Sequence, residues 1–311
     1  MTELNLREAD SIEATVIIDN YTDLLLLQST SVMKRAALPI SITPLAEHGL
    51  SIIINVKAGT EEHIFLMDTG VTPTCLFHNF DVFCINMKKI EGIILSHGHF
   101  DHFGGLIAFL GKASKGIDLV LHPEAFLERR LNLPGLEAKA KMPDLDEEAL
   151  KKTGVILHKT KKASTWFSDL VLSFGEVERV TDFEKGFPWA EAKINGRWVA
   201  DPFNDDQGIA INVKGKGLVI IGGCSHAGII NTIKHAQKIS RINKVHAVLG
   251  GFHLSGPIFE PIIGPTIEEM KIINPDYIAP MHCTGWNAMK QFADKMPDKF
   301  LLNCVGTTYT F

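Results

Sequence analysis

A dense cluster of metal-binding residue types constrains this chain more than any other feature. The cluster consists of His97, His99, Asp101 and His102. It follows the apolar run 93–95 and precedes a Gly-Gly pair, so the pattern predicts a β-strand that ends in a polar loop. Residues two apart in an extended segment point the same way, so the first two histidines would share one side of that loop. Imidazole and carboxylate ligands in this combination suit zinc, iron or manganese.

The second half of the chain repeats the pattern of the first. The run 209–215 resembles the run 52–58, and each is followed by a turn and another apolar strand. These strands, and others after them, end beside small residues at Asp68, His226 and His282. Two similar β-rich halves predict two facing sheets flanked by helices. Such an arrangement would bring the polar strand ends together in a shared metal site.

The length and composition suit one layered α/β domain. The chain has 311 residues, of which 45% are hydrophobic and 22% are charged, and folds of this class often use as much chain in one domain. We therefore expect a single domain over residues 1–311, with a less regular, substrate-facing insertion around residues 123–205. Local patterns predict a helix over 126–131, and a capping box from Thr266 to Glu269 predicts the start of a later helix.

Charge and hydropathy argue against nucleic-acid and membrane partners, and cysteine usage indicates the compartment. The net charge of −5 offers no broad basic face, so we expect no nucleic-acid partner. Uninterrupted apolar stretches are too short to span a membrane, and the acidic N-terminus does not resemble a signal peptide. An odd, scattered set of 5 cysteines is typical of a reducing cytoplasm. The expected partner is a small-molecule substrate, and the oligomeric state stays open, a homo-oligomer included.

The H-x-H-x-D-H pattern after an apolar strand resembles the metallo-β-lactamase superfamily, and further motifs resemble its dihydropteroate-synthase-like branch. These stretches are residues 46–51, 68–70, 96–105, 205–207, 223–229, 250–254 and 282–285. The resemblance runs from about residue 45 to the end of the chain. It implies a four-layer αββα sandwich of the metallo-β-lactamase type, with two similar halves, and metal-assisted chemistry. Archaeal members of this branch are linked to tetrahydromethanopterin biosynthesis.

The resemblance also implies two metal ions with separate ligand sets. The first set is His97, His99 and His226. The second set is Asp101, His102 and His282. Asp68 would orient the ligand loop rather than bind a metal directly. The expected cofactor is therefore one or two divalent metal ions, with zinc favoured and manganese or iron as alternatives.

The chain departs from the superfamily where a bridging aspartate is usual. The corresponding strand here ends in Gly-Gly-Cys-Ser-His, at residues 222–226. Cys224 offers a thiolate as a bridge, although a small packed residue is the favoured interpretation. Asp206 is another candidate, in a run that is also typical of a turn. The bridge, and whether one or two ions bind, stay open.

Other positions are weaker candidates for catalysis or substrate binding. His253 follows a strand and a Gly-Gly pair, so it is a candidate substrate contact or proton donor, with a structural role as the alternative. Asp101 is the other candidate catalytic residue. His48 lies in a similar polar turn, and His48 and Asp206 are further candidate substrate contacts. Arg179 is a candidate phosphate contact, with a solvated arginine as the alternative.

Three functions fit these residues. A metal lowers the pKa of bound water to around 7, which provides hydroxide for a hydrolase acting on a phosphorylated or pterin-like molecule. Alternatively, the metals neutralise a diphosphate leaving group while an arylamine attacks a methylene carbon, as the resemblance to the dihydropteroate-synthase-like branch implies. The third interpretation is a non-catalytic protein that binds a metal or ligand on the same fold.

Overall fold

The computed structural model describes residues 4–39, 41–135 and 137–311. Most of its strands belong to two large sheets, and a smaller third sheet lies within the predicted insertion. The strands are β1 (Glu8–Ala9), β2 (Ser11–Ile18), β3 (Met33–Lys34), β4 (Ser51–Ala58), β5 (Glu61–Met67), β6 (Gly92–Ile94), β7 (Asp118–Leu121), β8 (Arg129–Leu131), β9 (Ala140–Lys141), β10 (Ile156–Lys159), β11 (Ser164–Trp166), β12 (Val171–Ser173), β13 (Ala190–Ile194), β14 (Arg197–Ala200), β15 (Gly208–Val213), β16 (Gly217–Gly222), β17 (Val245–Gly251), β18 (Tyr277–Met281) and β19 (Thr308–Thr310).

The helices alternate with the strands in both halves. They are α1 (Pro73–Val82), α2 (Phe100–Phe103), α3 (Leu106–Leu110), α4 (Glu147–Lys152), α5 (Ile229–Ser240), α6 (Glu260–Ile273) and α7 (Trp286–Lys295). Helix α4 begins where the Asp146 side chain accepts a hydrogen bond from the Ala149 amide, at 3.0 Å. Among the described residues, none of the helices combines the length and the apolar character that crossing a bilayer requires.

The two large sheets have the same local topology. In the eight-stranded sheet, β4 and β5 form an antiparallel pair and β5, β6 and β7 then run parallel. In the seven-stranded sheet, β15 and β16 are antiparallel, and β16, β17 and β18 then run parallel. The predicted duplication is therefore confirmed in the strand pairing. It also places the carboxyl ends of the parallel strands in each sheet at one edge, because neighbouring parallel strands point the same way.

Three buried apolar clusters separate the layers. One lies between the two sheets, where Ile54 and Phe65 face the layer that contains Ile211 and Val219. The second packs α5, α6 and α7 onto the outer face of the seven-stranded sheet, and the third packs α1, α3 and α4 onto the outer face of the eight-stranded sheet. Each fully buried isoleucine or phenylalanine contributes about 1.5–3 kcal/mol through burial alone. The layers follow the predicted order helix, sheet, sheet, helix.

Two local predictions are wrong. The predicted helix over residues 126–131 contains β8 instead, because Arg129 and Leu131 pair with β13, across some sixty residues of chain. Such long-range pairing overrides a short local pattern. Helix α6 begins at Glu260 rather than at the predicted capping box, and Thr266 lies inside it, where its hydroxyl donates to the Ile262 carbonyl at 2.8 Å.

The insertion predicted around residues 123–205 is built into the main fold. Strand β10 pairs with β7 in the eight-stranded sheet, and β11 and β12 extend the seven-stranded sheet. Strands β8, β9, β13 and β14 form the separate small sheet. A substrate-facing role for this segment stays a prediction.

Candidate metal centre

Loops that follow strands in both sheets bring the predicted ligands together. The loop after β6 carries His97 and His99, and helix α2 carries Asp101 and His102. The loop after β16 carries Cys224 and His226, and His282 follows β18 directly. Because the two sheets face each other across the central core, these strand ends meet at one edge of the sandwich. There they form two adjacent groups of potential ligands.

The first ligand group consists of His97, His99 and His226. All three side chains are buried, and their ligand atoms lie within 4.8 Å of one another. The ring centroids of His97 and His99 are 4.5 Å apart, and both lie within 4.9 Å of the His226 ring. Three imidazoles around one point are the ligand set of many catalytic zinc sites.

The chemistry of this group fits a divalent cation. Nε2 of His97, Nε2 of His99 and Nδ1 of His226 are buried without a hydrogen-bond partner among the described residues. Burial lowers the pKa of each of these imidazoles well below its usual range. The rings are therefore neutral and keep the lone pairs that bind a cation. A bound ion would also satisfy buried nitrogens that are otherwise costly to leave unpaired.

The second ligand group consists of Asp101, His102, Cys224 and His282. The Cys224 Sγ lies 3.2 Å from the His102 Nε2 and 3.3 Å from the His282 Nε2. An Asp101 carboxylate oxygen lies 3.4 Å from the His282 Nε2 and 3.7 Å from the His102 Nε2. Burial opposes ionisation of Asp101, but the neighbouring histidines outweigh it and lower the pKa of that carboxyl. The group thus combines an ionised carboxylate with potential nitrogen and sulfur ligands.

Asp68 holds the ligand loop from behind. Its Oδ2 lies 2.6 Å from the His102 Nδ1, and its two oxygens accept hydrogen bonds from the backbone amide and the hydroxyl of Ser96, both at 2.7 Å. Burial lowers the pKa of His102, but the carboxylates of Asp101 and Asp68 outweigh it and raise that pKa to about 9. A carboxylate behind a ligating histidine fixes the ring orientation, which is the role expected for Asp68.

A cavity of about 230 Å³ opens beside the first ligand group, and we call it the His226 cavity. His226 and His253 line it together with the aromatic rings of Phe252 and Phe259, and Lys185 is the only lysine or arginine among the described lining residues. An apolar wall with a few convergent polar groups is typical of a small-molecule site.

The comparisons with known proteins agree with this geometry. The model of the Metallo-beta-lactamase superfamily matches residues 85–231. The 7,8-dihydropterin-6-methyl-4-(beta-D-ribofuranosyl)-aminobenzene-5'-phosphate synthase of Methanocaldococcus jannaschii is 35% identical over 258 residues, which cover 82% of this chain and 87% of the synthase. The chain belongs to the metallo-beta-lactamase superfamily. The predicted family is thereby confirmed.

Two further similarities extend across the chain. The uncharacterized protein MJ0448 of the same organism is 31% identical over 253 residues, or 80% of this chain and 88% of that protein. A crystal structure described as Tm1679, a metal-dependent hydrolase of the beta-lactamase superfamily, has a TM-score of 0.72 at 22% identity and covers 96% of this chain and 98% of that one. The structural likeness confirms the predicted metallo-beta-lactamase fold.

Cys224 stands where the superfamily pattern predicts a bridging aspartate. Besides its place in the second ligand group, its Sγ lies within 4.8 Å of ligand atoms of His226 and His253. The sulfur therefore lies between the two groups, and the residue is also buried, so the bridging role and the packed-residue interpretation both stay predictions. Burial raises the pKa of the Cys224 thiol, so a nearby cation is what would make it a thiolate ligand.

Replacing Cys224 with serine should remove a sulfur ligand and little else. With Co²⁺ bound, we expect the wild-type chain to show a thiolate-to-cobalt absorption band that Cys224→Ser lacks, and metal affinity to fall about tenfold or more. The matched control is Cys84→Ser, because Cys84 is an exposed free thiol. An unchanged band in Cys224→Ser would show that the sulfur does not bind the metal.

The weaker candidates are distributed around the ligand groups. His253 packs its ring 4.1 Å from the His226 ring, measured between centroids. The His48 Nε2 lies 3.7 Å from the Asp101 carboxylate, and 66% of its side chain is exposed. Arg179 is exposed, donates to the Pro202 carbonyl at 2.6 Å and belongs to neither ligand group.

The Asp206 side chain holds the backbone of the loop that carries His226. Its Oδ2 accepts a hydrogen bond from the Ala227 amide at 2.9 Å, directly after His226. Burial raises the pKa of Asp206 to about 7. Asp206 belongs to neither ligand group.

Arg129 and Asp205 support the ligand loop, and the sequence did not single out either in this role. The Asp205 carboxylate accepts hydrogen bonds from the Gly98 amide at 2.8 Å and from Arg129 at 2.7 Å. Arg129 also donates to Asp201 at 2.7 Å and to the Gly98 carbonyl at 3.3 Å. Gly98 separates two ligands, and a Cβ there would lie 2.1 Å from the Ala125 carbonyl oxygen, so only glycine fits. The sequence alone does not show that an arginine in the predicted insertion contacts the loop around Gly98, because the fold brings the two segments together.

Proposed function

We propose that this chain is a metal-dependent enzyme that joins a dihydropterin methyl diphosphate to a ribofuranosylaminobenzene phosphate. The observation that carries the proposal is the pair of adjacent ligand groups beside a cavity with aromatic walls. The similarity to a synthase named for such a product, over 82% of this chain, supports this substrate class. The proposal names one reaction and two substrates, whereas the superfamily as a whole shares only metal-dependent chemistry.

The reaction exchanges one bond at a methylene carbon. The arylamine nitrogen attacks that carbon, the bond to the diphosphate oxygen breaks, diphosphate leaves with the electron pair, and the nitrogen loses a proton. Metal ions held by the two ligand groups would supply the positive charge that stabilises the leaving diphosphate. The chain itself must bind both substrates, orient them, exclude water and accept the proton.

His253 is the residue best placed to accept that proton. It lines the His226 cavity, and both of its ring nitrogens are buried without a hydrogen-bond partner among the described residues. Its ring packs against the Phe259 ring at 4.7 Å and the Phe187 ring at 5.4 Å, measured between centroids. These rings hold the imidazole and provide an apolar surface for a benzene ring. They also reduce access for water, which would otherwise compete with the amine.

The test is an assay of the metal-loaded chain with both substrates, followed by diphosphate release and by mass spectrometry of the product. We expect diphosphate release that depends on the arylamine, with one coupled product for each diphosphate. Diphosphate release without arylamine would indicate a hydrolase instead. Metal binding without any turnover of either substrate would indicate the non-catalytic binding protein.

His253→Asn tests the proposed proton acceptor. Asparagine tolerates the φ of 45° at this position, so the backbone should keep its conformation. We expect kcat to fall about 10²–10⁴-fold with metal content unchanged. His78→Ala is the matched control, because His78 is exposed and contacts the Thr43 carbonyl. Full activity in His253→Asn would contradict the assigned role.

A further inference from the structure

A second cavity, of about 540 Å³, adjoins the second ligand group. We call it the Trp286 cavity, and its lining includes Asp19, Asn20, Tyr21, His282, Trp286 and Met289. His282 belongs both to this lining and to the second ligand group. The His226 cavity adjoins the first group through His226. The two ligand groups are therefore each flanked by a cavity of their own.

Two exposed aromatic rings give the Trp286 cavity a stacking surface. Trp286 opens helix α7 and is 71% exposed, and Tyr21 follows β2 and is 42% exposed. Large aromatic side chains left this open beside a cavity mark binding sites more often than isolated surface residues do. Flat ligands gain by packing on such rings, since stacking on an aromatic side chain is tolerant of ligand identity but demands planarity.

A buried carboxylate supplies the polar character of this cavity. The Asp19 Oδ1 accepts hydrogen bonds from the backbone amides of Asn20 and His282, at 2.7 and 2.8 Å. The Oδ2 accepts one from the Asn303 side chain, at 2.7 Å. The two oxygens of a carboxylate offer about four acceptor positions, so these three bonds leave one on Oδ2. A ligand with ring N–H groups would complement it.

The charge of the lining distinguishes between parts of a substrate. No lysine or arginine is among the described residues that line the Trp286 cavity. A phosphate or diphosphate group would therefore meet the Asp19 carboxylate there without a lysine or arginine to offset it, which is unfavourable. The lining of the His226 cavity contains Lys185, and its one carboxylate among the described lining residues, Glu184, already accepts hydrogen bonds from two backbone amides. The Trp286 cavity suits a flat, uncharged ring that donates hydrogen bonds.

We propose that the Trp286 cavity binds the bicyclic amino-oxo ring of a pterin, stacked on Trp286 and Tyr21 with its N–H groups toward Asp19. The arylamine then approaches from the His226 cavity, and the two substrates meet at the ligand groups between them. This assignment rests on the proposed function for the identity of the second substrate. The pterin site itself is testable without turnover.

The test is calorimetric titration of the metal-loaded full chain with pterin, compared with 4-aminobenzoate as the arylamine probe. In Trp286→Ala we expect the dissociation constant for pterin to rise about tenfold or more, while that for 4-aminobenzoate stays unchanged. Trp198→Ala is the matched control, because Trp198 packs over Arg130 in the small third sheet. Tyr21→Ala provides a second variant, in a different segment, should Trp286→Ala melt at a lower temperature than the wild type.

Several results would overturn the assignment. They are no pterin binding by the wild-type chain, wild-type pterin affinity in both Trp286→Ala and Tyr21→Ala, or a loss of 4-aminobenzoate binding in place of pterin binding. A change in oligomeric state of Trp286→Ala in analytical ultracentrifugation would show that this face is a subunit contact instead. Coupling activity with an unchanged KM for the pterin substrate in Trp286→Ala would contradict the assigned pterin site but not the proposed reaction. Pterin binding lost in Trp286→Ala without any coupling in the wild type would sink the proposed reaction alone.

Discussion

Replacing Arg129 with methionine is expected to lower the free energy of unfolding by about 3–5 kcal/mol. The guanidinium is almost fully buried and pairs with Asp201 and Asp205, each at 2.7 Å. Methionine keeps much of the side-chain volume but leaves two buried carboxylates without their cation, and that loss is what makes the change costly. Chemical denaturation with a linear extrapolation measures the difference.

Arg7→Met is the matched control for this prediction. Arg7 pairs with Glu61 at 2.9 Å, but both side chains are about two-fifths exposed, so solvent screens the pair and a far smaller change is expected. The Arg129 variant should also bind metal less tightly, because Asp205 and Arg129 hold the backbone of Gly98 between two ligands. An equal loss of unfolding free energy in the two variants would contradict the structural role of Arg129 and its partners Asp201 and Asp205.

Replacing His99 with alanine is expected to weaken metal binding at the first ligand group by more than about 100-fold. Removing a residue that only hydrogen-bonds to a metal ligand already lowers metal affinity about 10–100-fold. This change removes one of the three imidazoles of the group itself. Metal content by elemental analysis should fall, and catalysed turnover should fall with it. His246→Ala is the matched control, since His246 is also mostly buried but pairs with Asp276 and belongs to neither ligand group.

The outcome of the His99 change also separates an enzyme from a binding protein. Loss of metal together with loss of turnover fits a metal that takes part in the reaction. Loss of metal with no effect on any catalysed reaction would favour the non-catalytic alternative. Unchanged metal content would contradict the assignment of His99 as a ligand.

Features that depend on neighbouring residues in the chain were predictable from the sequence. The H-x-H-x-D-H pattern places four chemical groups within six consecutive residues whatever surrounds them, so His97 and His99 were recognisable directly. The repeated apolar strands predicted two similar halves, and the strand pairing confirms them. These features are visible because their periodicity lies within short segments.

Features that depend on distant residues were not predictable in the same way. Arg129 and Asp205 lie 76 residues apart in the chain, and only the fold brings them together behind Gly98. The strand that contains Arg129 forms because β13 pairs with it, so its local pattern was misleading. Cys224 and His102 lie 122 residues apart, and the packed-residue interpretation did not anticipate their contact.

The same limit applies to the cavities. Tyr21 and Trp286 come from opposite ends of the chain, and the sequence contains no motif that joins them. Asp19 reads as a turn residue after an apolar strand, yet its carboxylate holds the backbone of His282. Substrate-binding surfaces assembled from separate segments in this way require the tertiary structure.

The metal-to-protein ratio tests the central claim most directly, namely that two adjacent ligand groups hold metal ions. Elemental analysis of protein purified without chelator, and again after reconstitution with Zn²⁺, Mn²⁺ or Fe²⁺, measures it. We predict a ratio near two, because both groups offer at least three buried ligands. No bound metal before or after reconstitution would contradict the metal centre and the proposed function together.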